Sequence, residues 1–277
     1  VHQGQWISTG GSVLNFSGNS SMTMYAGSRI MTGDAKLLSG ASLDLRGTGR
    51  VNLFTLADDS HLTVTTDDAL VVDKVAGSGS LMKYGQGSLE IRNDSSSFSG
   101  LVAVEQGSLM LTNASTTLLE GAIAFSLSGG VLDLTSVSFT TDNSAAIALK
   151  NNAYFSLTGG QLALGNLTQG ETYHIFDTTQ GGTLDGWASL SSEHFVVNGQ
   201  ALSELGRVKL DLGETGTFAY TVVGSLTLTW AGGATGEWNT ADTNWDVTPD
   251  ADSTNNETFY QGDSVIFDTA GAEVIVR

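Results

Sequence analysis

Apolar and polar residues alternate along most of the chain in short runs. Leu43-Asp44-Leu45, Val51-Asn52-Leu53 and Leu62-Thr63-Val64 each place two apolar side chains on the same side of an extended backbone. Glycines, accompanied by serine or asparagine, separate these runs and suit tight turns. The pattern predicts many short β-strands joined by turns, each strand with one buried face.

One turn-and-strand phrase recurs at a fixed interval. The sequence Gly-Ser-Leu-x-apolar occupies residues 87–91 and again residues 107–111, and looser copies lie at 129–134 and 159–164. A period near 20 residues that contains strands and no helices indicates a stacked array of strand units. Alternation by itself also fits an antiparallel β-sandwich, which stays open as the structural alternative.

The spacing of glycines around the first two copies resembles a known family. Residues 77–91 read Gly-x-Gly-x-Leu-x-Lys-x-Gly-x-Gly-Ser-Leu-x-Ile, followed by Phe-x-Gly at 98–100 and Val-x-x-Gly-x-Leu-x-Leu at 104–111. This stretch resembles the autotransporter-associated β-strand repeat of bacterial surface proteins. The resemblance implies a right-handed parallel β-helix, displayed outside a Gram-negative-type cell as part of a passenger region. It implies no chemistry.

The spacing and length of the predicted strands change twice along the chain and divide it into three parts. We predict an all-β fold with a β-helix-like repeat region at 1–166, an irregular or antiparallel β region at 167–229, and the start of a following tryptophan-rich β module at 230–277. Short helical turns are expected near 116–125 and 201–205. The chain carries no signal peptide at its start and stops inside an expected strand, so we interpret it as a piece of a longer protein.

Composition and charge narrow the functional classes. The chain has 11 Lys and Arg residues against 29 Asp and Glu residues, which gives a formal charge of −18. Such a surface repels nucleic acid and anionic lipid, because both depend on basic contacts. The absence of cysteine removes disulfides and thiol chemistry. The sequence has no apolar run of about 18 residues, so we predict no membrane span.

Two carboxylates are candidates for acid–base catalysis. Asp177 and Asp268 each lie in an apolar-apolar-Asp-Thr phrase, which resembles the paired strand ends of aspartic proteases. The residue after each threonine is Thr179 or Ala270 instead of glycine, so the turn beside the carboxylate is altered. Acids at strand ends are the structural alternative. A glycan hydrolase with a pair of acids is a further alternative, although no stretch concentrates acids on successive strands.

The segment after residue 241 offers a candidate cation site. Asp242, Asn244 and Asp246 have the spacing of the first three ligands of a calcium loop. The glycine and the bidentate acid that such a loop requires are replaced by Val247 and Ser253. Solvated turn acids are the alternative, and we predict no cofactor, with Ca²⁺ as the open exception.

Three tryptophans are candidates for ligand binding. Trp230, Trp238 and Trp245 lie within 16 residues of one another, and exposed indole rings stack well on sugar rings. The alternative is a small aromatic core for the last module.

Taken together, these features favour a secreted or surface-displayed scaffold or adhesin without catalysis. Host or matrix glycans and glycoproteins are the expected partners. An extracellular hydrolase acting on glycoproteins or polysaccharides is the first alternative, and a glycan-binding module is the second.

Overall fold

The computed structural model describes residues 6–7, 14–24, 29–31, 35–142, 144–224, 226–231, 235–238, 244–247, 259, 263–267 and 273–276. The chain divides into two compact units. The first comprises Val1–Ala201 and Leu210–Tyr220, and the second comprises Leu202–Lys209 and Thr221–Arg277.

Short strands account for most of the regular structure in the described part of the chain. In chain order they are β1 (Trp6–Ile7), β2 (Leu14–Phe16), β3 (Asn19–Met24), β4 (Arg29–Met31), β5 (Ala35–Leu37), β6 (Ser42–Gly47), β7 (Gly49–Leu56), β8 (His61–Thr65), β9 (Ala69–Gly77), β10 (Ser80–Tyr84), β11 (Ser88–Ile91), β12 (Leu101–Val104), β13 (Ser108–Thr112), β14 (Ala124–Leu127), β15 (Val131–Ser136), β16 (Ile147–Ala148), β17 (Tyr154–Leu157), β18 (Gln161–Leu164), β19 (Tyr173–His174), β20 (Phe176–Asp177), β21 (Thr183–Asp185), β22 (Phe195–Val197), β23 (Gln200–Ala201), β24 (Val208–Gly213), β25 (Thr217–Val222), β26 (Thr227–Trp230), β27 (Thr235–Trp238), β28 (Trp245–Val247), β29 (Ser264–Ile266) and β30 (Glu273–Val276). The helical segments are α1 (Thr117–Gly121) and three 3₁₀ turns at Trp187–Ser189, Ser192–His194 and Leu202–Leu205. Helical turns near 116–125 and 201–205 were both expected from the sequence, and the structure confirms them.

Successive strands of the first unit alternate between two sheets, and this alternation winds the chain into coils. Sheet 1 contains β7, β9, β11, β13, β15, β18 and β22 side by side, and sheet 2 contains β6, β8, β10, β12, β14, β17 and β21. Neighbours within each run are parallel, so every strand pairs with the strand one coil earlier and one coil later. The first unit is therefore a parallel β-solenoid. The predicted β-helix architecture is confirmed, and the β-sandwich alternative is excluded.

The interior of the solenoid consists of apolar residues stacked in register. Leu89 lies beside Leu109, so the two copies of the Gly-Ser-Leu phrase occupy equivalent places in adjacent coils. One buried row in sheet 1 contains Leu70, Leu89, Leu109, Leu132, Leu162 and Phe195. A second buried row, in sheet 2, contains Leu43, Leu62, Leu81, Val102, Phe125 and Phe155. Burial of such side chains contributes about 1.5–3 kcal/mol each before conformational entropy is subtracted.

The glycine of the repeated phrase has a steric role at the corner between the two sheets. Ser88 N–H donates to the carbonyl of Asp68 (2.8 Å), and Ser108 N–H donates to the carbonyl of Gly87 (3.1 Å). A Cβ atom added to Gly87 would overlap the Asp68 carbonyl oxygen. Adjacent coils therefore approach too closely at this corner for any side chain.

One inward position carries a charge. Lys83 lies in sheet 2 between Val64 and Val104 of the neighbouring coils, and only 1% of its surface is exposed. Its stem occupies the apolar interior, while its ammonium group reaches the backbone at the end of the strand.

The coils lengthen toward the C-terminal side of the first unit. Equivalent positions in sheet 2 are Ser42, His61, Ser80, Leu101, Ala124, Tyr154 and Thr183, one in each successive coil. The added residues form α1 and a short parallel pair of β16 and β20. Aromatic rings fill the wider interior in a continuous series of contacts: Phe125, Phe155, Phe176, Trp187, Phe195, Phe218 and Tyr220.

Antiparallel pairing appears toward the C-terminal side, as predicted. β22 pairs with β23, and β19 pairs with β25 in a three-stranded sheet completed by β24. In the second unit β26 is antiparallel to β28 and parallel to β29, while β27 pairs with β30. Across the described residues, no helix has both the length and the apolarity that a membrane crossing requires.

Candidate functional site

Asp177, the acid singled out from the sequence, lies at the end of β20 in the first unit. Its Oδ1 atom accepts a hydrogen bond from the backbone N–H of Thr179 at 2.8 Å. Hydrogen bonds from Thr179, with a smaller contribution from nearby His174, hold the pKa of Asp177 below its usual value. Asp177 is thus an ionised acid that closes the turn after a strand.

A small cavity opens beside this carboxylate. It has a volume of about 220 Å³ and is lined by Ala145, His174, Phe176, Asp177, Thr179 and Thr215. A second carboxylate, Asp142, also interacts electrostatically with His174. Hydrogen bonds from Thr140 (2.6 Å) and from the backbone N–H of Ser144 (2.9 Å) lower the pKa of Asp142. The cavity therefore combines an imidazole and threonine side chains with the Asp177 carboxylate, and Asp142, which does not line the cavity, acts electrostatically on the same imidazole.

These features fit a polar binding pocket better than an acid-catalysed one. A general acid at neutral pH needs a raised carboxyl pKa, whereas those of Asp177 and Asp142 are lowered. Asp268, the proposed dyad partner of Asp177, lies outside the described residues. The dyad hypothesis thus remains a prediction.

The candidate calcium ligands are only partly described. Asp242 lies outside the described residues, Asn244 directly precedes β28, and Asp246 lies within β28 opposite Thr229. The Oδ1 atom of Asp246 is buried without a hydrogen-bond partner in the described part of the chain. Across all the residues that the structure describes, no group of three or more His, Cys, Asp or Glu side chains is arranged to hold a metal ion.

Two of the three candidate tryptophans belong to the core of the second unit. Trp230 and Trp245 are 3% and 0% exposed and meet edge to face, with ring centroids 5.0 Å apart. Phe259 and Phe267 pack against Trp245 with centroid distances of 6.2 and 5.6 Å. This packing favours the aromatic-core alternative for these two rings. The side chain of Trp238 lies outside the described part, so its role in sugar binding stays a prediction.

The outward face of sheet 2 carries a feature that the sequence did not reveal. Leu101 and Tyr154 are large apolar or aromatic residues, and each is 47% exposed. Leu101 lies beside Ala124, and Ala124 lies beside Tyr154, so a single strand separates the two exposed side chains. The hydroxyl of Tyr154 donates to Asp185 Oδ2 at 2.6 Å, which fixes the ring against the sheet. The sequence shows these residues, but only the strand register places them together.

The chain was compared with protein-family models, curated proteins and solved structures. Neither a protein-family model, nor a curated protein, nor a solved structure matches the chain.

Proposed function

We propose that the chain is a non-catalytic scaffold that a bacterium secretes or displays at its surface, as a passenger segment of an autotransporter-like adhesin. The supporting observation is the in-register parallel solenoid, in which seven equivalent sheet-2 positions from Ser42 to Thr183 stack coil upon coil. The glycine-spaced repeat at residues 77–111 supports the same assignment.

A solenoid of this kind suits display because each coil depends mainly on its neighbours. The inward rows supply stability, so outward positions and corners are free to carry contact residues. The corners of the longer coils already hold α1, the pair of β16 and β20, and the cavity beside Asp177. A rigid interior with variable corners is the arrangement expected of an adhesive scaffold.

The acidic charge fits the proposed setting. A formal charge of −18 favours solubility and discourages binding to nucleic acid or anionic lipid. Host or matrix glycans and glycoproteins are the partners that we propose, because neutral sugars are recognised through hydroxyl groups and aromatic faces instead of basic residues.

A bead assay tests adhesion and catalysis together. Beads coated with the chain should be retained on a mucin-coated surface more strongly than beads coated with an unrelated protein of equal negative charge. The fluid from the same wells should contain no more soluble mucin fragments than the control wells. Equal retention of both bead types would reject the adhesin. Release of fragments that Asp177→Asn abolishes would replace the scaffold with a hydrolase.

A further inference from the structure

The cavity beside Asp177 is formed where three distant segments of the first unit meet. The first contains β19 and β20, the second leads into β16, and the third is the turn between β24 and β25. The polar and small wall residues from these segments are His174, Asp177, Thr179, Ala145 and Thr215. Because its wall comes from three segments, the cavity is a product of the tertiary fold and not of one loop.

Backbone hydrogen bonds hold the three segments together. The N–H groups of Ile175 and Phe176 donate to the carbonyl of Gly216 at 3.1 and 3.2 Å. The N–H of Ala146 donates to the carbonyl of His174 at 3.1 Å. A Cβ atom added to Gly216 would lie 2.5 Å from that of Phe176, so the turn packs directly against the strand. The cavity is thus pre-formed, and a ligand that enters it pays little for ordering the wall.

The wall offers hydrogen-bond acceptors and negative charge. Hydrogen bonds from Thr179 lower the pKa of Asp177, so this carboxylate is ionised near neutral pH. Asp142 adds a second negative charge close enough to act on His174. Among the described residues that line the cavity there is no lysine or arginine. Such a cavity attracts a positively charged group with N–H donors, and the formal charge of −18 reinforces the attraction.

The size of the cavity and its apolar side chains define what carries that positive charge. The volume of about 220 Å³ is below the roughly 300–1,000 Å³ of pockets for drug-sized ligands, so the ligand has few non-hydrogen atoms. Ala145 and Phe176 belong to the same wall, and a hydrocarbon stem packs well against apolar side chains. A short alkylamine, which has the shape of a lysine side chain, meets both conditions.

We propose that this cavity binds a primary ammonium group carried on a short hydrocarbon stem, with the Asp177 carboxylate as the principal acceptor. The three N–H donors of an ammonium group match the carboxylate, a threonine hydroxyl and the imidazole of His174. Such a group occurs in free alkylamines and in the lysine side chains of other proteins. The inference rests on the cavity alone and does not depend on the proposed function.

A titration followed by ¹⁵N–¹H NMR locates the site in the unmodified chain. At about pH 7 a primary amine is protonated, and at about 0.15 M salt distant acids are largely screened. n-Butylamine should shift the amide signals of Thr179 and Thr215 with a dissociation constant of millimolar order, and leave that of Ser96 unchanged. n-Butanol, which has a similar shape without the charge, should bind at least about tenfold more weakly. Equal affinity for both probes, or no shift at Thr179, would overturn the proposal.

Asp177→Asn tests the carboxylate, and Asp94→Asn is its matched control. Asp94 also closes a turn, since it accepts a hydrogen bond from the backbone N–H of Ser96 at 2.9 Å, but it does not line the cavity. Asp177→Asn should weaken n-butylamine binding at least about tenfold, whereas Asp94→Asn, which removes the same charge, should change it less than about twofold. Equal weakening in both variants would assign the binding to overall charge and reject the site.

Ala145→Leu tests the cavity without changing the charge. The larger side chain should occupy the space of the hydrocarbon stem and weaken n-butylamine binding at least about tenfold. Unchanged binding would place the amine elsewhere and contradict the proposal. Nα-Acetyl-lysine N-methylamide separates the two sources of the ammonium group. An affinity within about threefold of that for n-butylamine supports a site for lysine side chains of a partner protein, and an affinity about tenfold weaker supports a site for free alkylamines.

Discussion

The ammonium group of Lys83 lies 3.3 Å from the carbonyl oxygen of Gln106, which belongs to the next coil of the solenoid. It also donates to the carbonyl oxygens of Tyr84 (2.6 Å) and Gly85 (2.8 Å) at its own corner. A single inward side chain thus ties two coils together through their backbones. Burial lowers the pKa of Lys83 to about 8, against an opposing influence from Asp67.

This lowered pKa predicts a pH dependence of stability. Between about pH 8 and pH 10 the unfolded chain binds more protons at Lys83 than the folded chain, so the free energy of unfolding should rise with pH. Lys83→Met should remove that rise, because methionine does not titrate. Denaturant unfolding at pH 7.5, 9 and 10 measures the effect.

Lys36→Met is the control for replacing a lysine by methionine, since Lys36 is exposed in β5. If the difference in stability between Lys83→Met and the unmodified chain were the same at all three pH values, a shifted pKa at this position would be ruled out.

The corner glycine predicts a steric effect. Gly87→Ala should destabilise the first unit by about 1–3 kcal/mol, because the new methyl group overlaps the Asp68 carbonyl oxygen. Gly224→Ala is the contrasting change, since open space surrounds that position, and it should stay within about 0.5 kcal/mol. Chemical denaturation of both variants provides the comparison. Equal effects would show that the coils separate easily at the Gly87 corner.

Asp177→Asn separates the structural and catalytic roles of this acid. Hydrogen bonds from Thr179 lower the pKa of Asp177, so its carboxylate stabilises the fold above the unfolded pKa of about 3.9, and that contribution is lost as the pH falls through the folded pKa. The variant should be slightly less stable at pH 7, with a difference that shrinks in acid. A loss of mucin cleavage in this variant would be evidence against a purely structural acid.

The two tryptophans at the ends of β27 and β28 should behave differently when truncated. Trp245→Ala should cost the second unit about 3–5 kcal/mol, because the ring is fully buried against Trp230 and Phe267. Trp238→Ala should weaken retention on a glycan array and leave the near-ultraviolet circular dichroism of the fold intact. Trp245→Phe, which keeps an aromatic ring, should recover part of the lost stability. Intact binding by Trp238→Ala would remove that residue from the candidates for sugar contact.

The architecture was readable from the sequence because the same residues that repeat in the chain also stack in space. The leucines of the two Gly-Ser-Leu phrases became neighbours, Leu89 beside Leu109, since the interval between them is one coil. Later coils are longer, so the pairing of Ala124 with Tyr154 could not be derived from a fixed period. The placement of Leu101 near Tyr154 on the outward face of sheet 2 depends on that pairing. The inward placement of Lys83 was not predicted from the sequence either. Only the strand register shows that Lys83 occupies the same position as the inward-facing Val64 and Val104 of the neighbouring coils.

The stacking of coils also determines how the first unit would respond to a pulling force. Tension applied along the chain would detach terminal coils one after another, because each coil is held by hydrogen bonds to its neighbours and not by a cross-link. A released coil of about 20 residues would extend to about 65–70 Å, whereas it occupies about 4.8 Å in the stack. Such a molecule lengthens greatly before its inner coils are disturbed. An attachment built from it would absorb sudden shear by stepwise extension while its remaining coils kept their structure.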